Sequence, residues 1–268
     1  MNNNPIGIFD SGIGGLTVAN AISKAMPNET LIYFGDTAHL PYGEKSKELI
    51  KEYALGISQF LLEVKHCKAI VIACNTASAA AYEYLRDTHK GTFPIINVID
   101  PIVEELVANK AIQNIGLIAT NTTIESKVYQ EKLARRKPNA KVQALATPML
   151  VPMIEEGFAH DNISQTLISN YLSNPTLEGI DSLILGCTHY PIIKEEINEY
   201  YKGKVNLVDS TTIVANKLKT ILQKEHLEAS ERTGSNYFYI SDMNPHFNKS
   251  AQRFFRGNIN LEHLNIWK

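Results

Sequence analysis

The chain has 268 residues, 44% hydrophobic and 20% charged, with 26 basic against 28 acidic side chains and a formal charge of -2. That is enough apolar material for one large or two ordinary packed domains, and the near-neutral balance gives no reason to expect nucleic acid or an anionic membrane surface as a partner. No apolar run approaches the ~20 residues of a membrane span, the first residues lack the basic and apolar regions of a signal peptide, and three cysteines are few and odd in number, so a disulfide framework is not expected and a reducing cytoplasm is.

Short β-rich runs at 5–9, 31–34, 69–73, 95–98, 115–119, 141–146, 182–186 and 205–208 alternate with amphipathic stretches at 17–25, 45–64, 78–86, 101–108, 123–135, 162–172 and 191–200. A further helix at 212–224 and a strand at 237–240 follow. Alternation of this kind predicts an α/β fold with mostly parallel strands. The chain also resembles itself. Ile6-Gly7-Ile8 recurs as Ile115-Gly116-Leu117, Leu40-Pro41-Tyr42-Gly43-Glu44 loosely as Val151-Pro152-Met153-Ile154-Glu155, Cys74 as Cys187, and Asn97-Val98-Ile99-Asp100 as Asn206-Leu207-Val208-Asp209, at offsets of 109, 111, 113 and 109 residues. Four collinear pairs at nearly constant offset predict two pseudosymmetric, doubly wound domains with a site in the crevice between them. The expected division is 1–98 with 210–268 for the first domain and 99–209 for the second.

Taken in order, the first motif is Asp10-Ser11-Gly12-Ile13-Gly14-Gly15, directly after the first strand. Its glycines would let backbone N–H groups approach an anion. A dinucleotide fingerprint wants another glycine where Thr17 stands, and Asp10 would set negative charge beside the phosphates, so no NAD or flavin is expected. Asp10 is suited instead to accept a proton or bind an ammonium group, and Ser11 to hydrogen-bond a carboxylate. Pro41-Tyr42-Gly43 reads as a turn whose weight comes from its counterpart ending at Glu155. Thr120 and Thr123 could supply hydroxyls to a carboxylate or cap a helix. The basic run 134–137 and the Phe254-Phe255-Arg256 segment read as helix ends and packing. The cysteines and the eight histidines form no Cys-x-x-Cys, His-x-His or His-x-x-x-His pair, so no metal site is expected.

Cys74-Asn75-Thr76 and Cys187-Thr188-His189 carry the most information. Each thiol closes a strand-like run and precedes a helix-like one, where a parallel sheet opens onto its ligand crevice and a helix N-terminus favours thiolate. Cys67 has no counterpart and reads as structural or exposed. A cysteine-protease reading would leave Cys74 and the duplication without a role. Two opposed thiols can do something one cannot: remove a proton from one face of a carbon and return one to the other, inverting a stereocentre. Contact of both with one carbon requires sulfurs roughly 6–8 Å apart. Each thiol then needs a neighbour to set its proton state, and Asp10 is the candidate for Cys74, His189 and Glu155 for Cys187. Asn75, Thr76, Thr188 and Ser11 suit substrate carboxylates.

These residues resemble the cofactor-independent aspartate/glutamate racemase family, and its glutamate racemases in particular. The resemblance runs from Ile6 to the last helices, on residues 7–17, Gly35-Asp36-Thr37-Ala38, Pro41-Tyr42-Gly43, residues 73–78, Val151-Pro152-Met153-Ile154-Glu155 and residues 185–191. It implies interconversion of L- and D-glutamate without pyridoxal phosphate or any other cofactor, supply of D-glutamate to peptidoglycan, and a homodimer. It also implies Cys74 and Cys187 as the acid/base pair, with substrate contacts at Asp10, Ser11, Pro41, Tyr42, Gly43, Asn75, Thr76, Thr188 and His189, and less firmly Thr120 and Thr123. Thr147 departs from the Cys-Pro that many members carry; it is not a proton-transfer position. Aspartate racemase is the nearest alternative, since one methylene is worth only about 1–3 kcal/mol in a pocket. A protein-inhibitor role, known for some members against a DNA topoisomerase, is the alternative of another class.

Overall fold

The computed structural model describes residues 2–257 and 259–267. In chain order the elements are β1 (Ile6–Asp10), α1 (Leu16–Ala25), β2 (Leu31–Gly35), α2 (Lys47–Gln59), β3 (Ala69–Ile72), α3 (Asn75–His89), β4 (Ile95–Asn97), α4 (Asp100–Ala108), β5 (Asn114–Ala119), α5 (Asn121–Glu125), α6 (Val128–Arg136), β6 (Lys141–Ala146), α7 (Leu150–Glu155), α8 (Asn162–Leu172), β7 (Ser182–Gly186), α9 (Lys194–Tyr200), β8 (Asn206–Val208), α10 (Ser210–Lys224), β9 (Tyr237–Ile240), α11 (Pro245–Phe254) and β10 (Leu261–His263). None of the described helices is long and apolar enough to cross a membrane.

Two parallel sheets form. One has the order β10-β9-β2-β1-β3-β4 and the other β6-β5-β7-β8. Setting β1 on β5, β2 on β6, β3 on β7 and β4 on β8 brings the two orders into register, which is the duplication written in space. β9 and β10 extend the first sheet beyond β2 and have no equivalents in the second. Strands β1, β2, β3 and β7 are buried along their whole length, as parallel strands covered on both faces must be, and this is why they read as unbroken apolar runs. One core cluster joins the sheets, running from Ile6 and Val71 through α1, α4 and α10 to Leu117 and Leu185. A second fills the other face of the first sheet, under α2 and α3.

Three local expectations needed revision. The helix foreseen over 123–135 is broken into α5 and α6 by Lys127, which takes a positive φ of 54°. The Val151–Glu155 motif, read as a turn's counterpart, lies on helix α7. Strand β10 was not foreseen: its three residues bury only Leu261, so no two-residue period could announce it.

Candidate active site

Both sheets place their chemistry at the carboxyl ends of paired neighbours. In each sheet the strand order reverses beside the first strand of its half, β1 or β5, and such reversals open a crevice beyond the strand ends. Asp10 ends β1 and Ser11 follows it. Cys74 stands between β3 and α3, Thr120 directly after β5, and Cys187 directly after β7. The turn at 41–43 and helix α7 close the sides. Together they enclose a cavity of about 340 Å³ lined by Asp10, Ser11, Pro41, Tyr42, Gly43, Cys74, Asn75, Thr76, Thr120, Glu155, Cys187, Thr188 and His189. Of the residues singled out from sequence, Thr123 alone does not line it. The wall also contains Leu40, Glu44, Asn121, Pro148, Val151, Pro152 and Glu156, which sequence reasoning did not assign to the site. Val151 and Pro152 carried a usable signal, since they belong to the repeated motif that ends at Glu155.

The Cys74 side is built from the β1–α1 loop. Cys74 caps α3, its sulfur accepting the Ala77 N–H at 3.4 Å and lying 3.6 Å from Ser11 Oγ. Beside it Asp10 is buried, with Oδ2 taking the N–H groups of Gly12 and Gly15, both at 3.1 Å, while Oδ1 has no hydrogen-bond partner among the described residues. Burial raises the Asp10 pKa, against smaller opposing effects of the His189 charge and the two loop N–H groups. Burial, then the Asp10 carboxylate, push the Cys74 thiol up to about 12, so it rests protonated.

On the other side three groups form a line. Cys187 Sγ lies 3.6 Å from His189 Nδ1, and His189 Nε2 lies 2.8 Å from Glu155 Oε1. Burial disfavours the His189 cation, but its hydrogen bonds to Cys187 and Glu155 outweigh that and raise its pKa well above the usual imidazole value. Burial would raise the Glu155 pKa; the hydrogen bond and charge of His189 bring it below the ordinary carboxylate value instead. An imidazolium–carboxylate pair is the consistent state. Both ring nitrogens then carry protons, and Nδ1–H is left to face the Cys187 sulfur. The ring is backed edge-on by Phe254 from α11, at 5.2 Å between centroids.

The glycines of the first loop serve these side chains. A Cβ on Gly14 would stand 2.3 Å from two atoms of the His189 ring, and one on Gly15 would stand 2.7 Å from Asp10 Cβ. Space that sequence reading could assign to an anionic ligand is taken by the protein's own acid and base.

Hydroxyls and amides complete the wall. Thr76 Oγ1 lies 3.0 Å from Thr120 Oγ1 and 3.3 Å from Thr123 Oγ1. Thr123 is wholly buried, so it holds the other two from behind. Asn75 donates through Nδ2 to the Tyr129 hydroxyl at 2.8 Å, leaving its buried Oδ1 without a partner among the described residues. The Tyr42 hydroxyl donates to Asp36, which does not line the cavity, at 2.7 Å, so it is spent on the protein and not on a ligand. Thr147 lies wholly buried, 2.7 Å from the Tyr190 hydroxyl, and does not line the cavity. Several of these bonds join the two sheets' domains: Thr76 to Thr120, Asn75 to Tyr129, the Thr17 hydroxyl to the Thr188 carbonyl at 2.9 Å, and the Thr122 hydroxyl to the Gly43 carbonyl at 2.6 Å.

Comparison with known proteins adds an independent line. Residues 16–218 match the model of the Asp/Glu/Hydantoin racemase family. A glutamate racemase of Neisseria meningitidis is 41% identical over 251 residues, covering 93% of this chain and 92% of that protein. Among solved structures, glutamate racemase from Francisella tularensis in complex with D-glutamate superposes with a TM-score of 0.92 at 36% identity, over 100% of this chain and 99% of that one. A glutamate racemase isoform of Bacillus anthracis gives a TM-score of 0.92 at 32% identity, covering 99% of this chain and 98% of that one.

Proposed function

Because this chain belongs to the Asp/Glu/Hydantoin racemase family, we propose that it interconverts L- and D-glutamate by proton transfer at the α-carbon between Cys74 and Cys187. The observation that supports this reading is that two thiols from equivalent points of the two halves line one cavity, each with its own acid/base partner. In one direction a thiolate takes the α-proton and the opposite thiol delivers its own proton to the other face. In the reverse direction the roles exchange. A substrate ammonium group beside Asp10 offsets the carboxylate charge that helps hold Cys74 protonated, so substrate itself readies that thiol. On the other side the His189–Glu155 pair sets a charged donor against the Cys187 sulfur as it gives up or takes a proton. Hydroxyls and N–H groups of Ser11, Thr76, Thr120 and Thr188 suit the substrate carboxylates, where charge builds as the α-proton leaves. The D-glutamate formed would feed peptidoglycan synthesis. The same reading carries a cytoplasmic location, a homodimer and chemistry without a cofactor.

The test is to incubate purified protein with L-glutamate, without added pyridoxal phosphate, and separate the enantiomers; L-aspartate is the control. D-glutamate should accumulate toward an equal mixture, with aspartate turned over far more slowly. Faster racemisation of aspartate would change the substrate assignment, and none of either would sink the reading. Run in deuterated water, the same reaction reports on the two bases. A thiol holds one proton, so early deuterium should enter the new enantiomer and stay out of the recovered starting one. Early label in both would mean one polyprotic base or a freely exchanging carbanion.

A further inference from the structure

Behind the Pro41–Gly43 wall lies a group the proposed reaction does not use. Asp36, directly after β2, is wholly buried, yet every polar neighbour of its carboxylate is a donor. Oδ1 accepts the Ser241 hydroxyl at 2.8 Å and the Trp267 Nε1–H at 2.9 Å. Oδ2 accepts the Tyr42 hydroxyl at 2.7 Å and lies 2.9 Å from His39 Nδ1, which must carry the proton because a carboxylate can only accept. The four donors come from four places: the end of β9, the segment beyond β10, the turn after β2, and the cavity wall.

The fold makes room for one of them in particular. A Cβ on Gly56, in the middle of α2, would stand 2.9 Å from the Trp267 ring. Glycine inside a helix is unfavourable relative to alanine, and here it admits the indole. His39 stacks on Tyr53 at 3.9 Å and meets the edge of Trp267 at 4.8 Å, while Tyr42 and Trp267 each lie against Tyr53, at 5.8 and 5.5 Å. Tyr42 is thus held from behind by a carboxylate and a ring that both also hold Trp267. Tyr42 lines the cavity together with Pro41 and Gly43.

We propose that Trp267 is a positioning residue for the substrate cavity: through the shared Asp36 carboxylate and the aromatic stack it sets the Tyr42 wall, and substrate binding at that wall is transmitted back to it. The proposal rests on the glutamate racemase reading above. It concerns how substrate is held, not how protons move, so its effect falls on KM.

Trp267 is also the chain's one tryptophan, and its emission therefore reports on this contact alone. In the wild-type protein, titration with glutamate should change Trp267 emission with a midpoint near KM. Tyr42→Phe keeps the ring but cuts the bond to Asp36, and should lose most of that response. Trp267→Phe keeps most of the packing but removes the Nε1–H donor. Its KM should rise about three- to tenfold, the size of one net hydrogen bond, with kcat within about twofold. The loss in kcat/KM should be the same for both enantiomers, because their equal free energies tie kcat/KM in the two directions. A strut that only stabilised the fold would lower Tm and leave KM and the emission response alone. Normal KM in a racemising Trp267→Phe enzyme, or an undiminished emission response in Tyr42→Phe, overturns the proposal while leaving the racemase reading intact. A wild-type protein that racemises nothing sinks both.

Discussion

Single side chains carry the chemistry proposed here, and the two thiols have the sharpest tests. Cys74→Ala and Cys187→Ala should each lower turnover in both directions by about 10²–10⁴, the usual worth of a positioned acid or base, while the protein stays folded. Inversion needs both faces served, so neither thiol can stand in for the other. Chiral separation of the products settles it, and a tenth of wild-type turnover in either variant would falsify the two-base assignment. The His189–Glu155 pair makes a prediction about stability. Glu155 has a lowered pKa, so its contribution is present above the unfolded value of about 4.3 and fades as pH falls through the folded one. His189 has a raised pKa, so its contribution is present below about 6.5 and fades as pH rises through its folded value. The Tm difference between wild type and His189→Asn should therefore be largest between about pH 4.3 and 6.5. A difference that kept growing toward alkaline pH would mean the imidazole is buried neutral. At this scale the sequence was legible in identity and opaque in direction. Cys74, Cys187, Asp10, His189 and Glu155 could be named from motif and repeat. Nothing local could say that the Tyr42 hydroxyl is spent on Asp36, or that Thr123 stands behind Thr120, because side-chain direction depends on partners from distant segments.

Among elements, the loop between β1 and α1 is the most constrained, since it must pass between two sheets and hold Asp10 on one side and His189 on the other. Gly14→Ala tests that constraint. The added methyl would overlap the His189 ring, at 2.3 Å, and the ring has Phe254 behind it. Overpacking of this kind costs about 1–3 kcal/mol, which in a chain of this size is a Tm loss of roughly 2–10 °C. Turnover should fall further than stability alone accounts for, by at least about tenfold, because the His189 ring must leave Cys187 to relieve the contact. Unchanged kcat with a lowered Tm would show that the loop moves and the ring does not. The neighbouring elements explain why some boundaries could be read and others could not. Strands β6, β7 and β9 stand where the pattern put them, at 141–146, 182–186 and 237–240. The break between α5 and α6 depends on one left-handed lysine and on Ser126, whose hydroxyl takes the Val128 N–H at 3.3 Å. Neither leaves a mark in hydrophobic periodicity.

For the whole molecule, the question is what keeps two α/β halves at the right separation around a small substrate. A shared core behind the cavity and a ring of polar bonds around it both contribute. Thr17 is the inner link, and Thr17→Val would leave the buried Thr188 carbonyl without that donor. We expect a stability loss of about 1–3 kcal/mol in denaturant titration. We also expect a raised KM, as the halves lose a fixed point beside Thr188. A stability loss with KM untouched would mean that the separation is set elsewhere.

Chain order and local pattern by themselves determined the α/β class, the repeat of two like halves and the position of one thiol at a strand end in each. They could do so because strand period, turn chemistry and motif spacing are properties of short segments, and a repeat shows as a constant offset. Tertiary structure alone decided which partners meet. Gly14 yields to an imidazole from the other half, the Thr76 hydroxyl meets those of Thr120 and Thr123, and β9 pairs with β2 and β10 with β9 at the edge of the first sheet. Each of those facts depends on the packing of segments far apart in the chain, where sequence records the residues but not the distances between them.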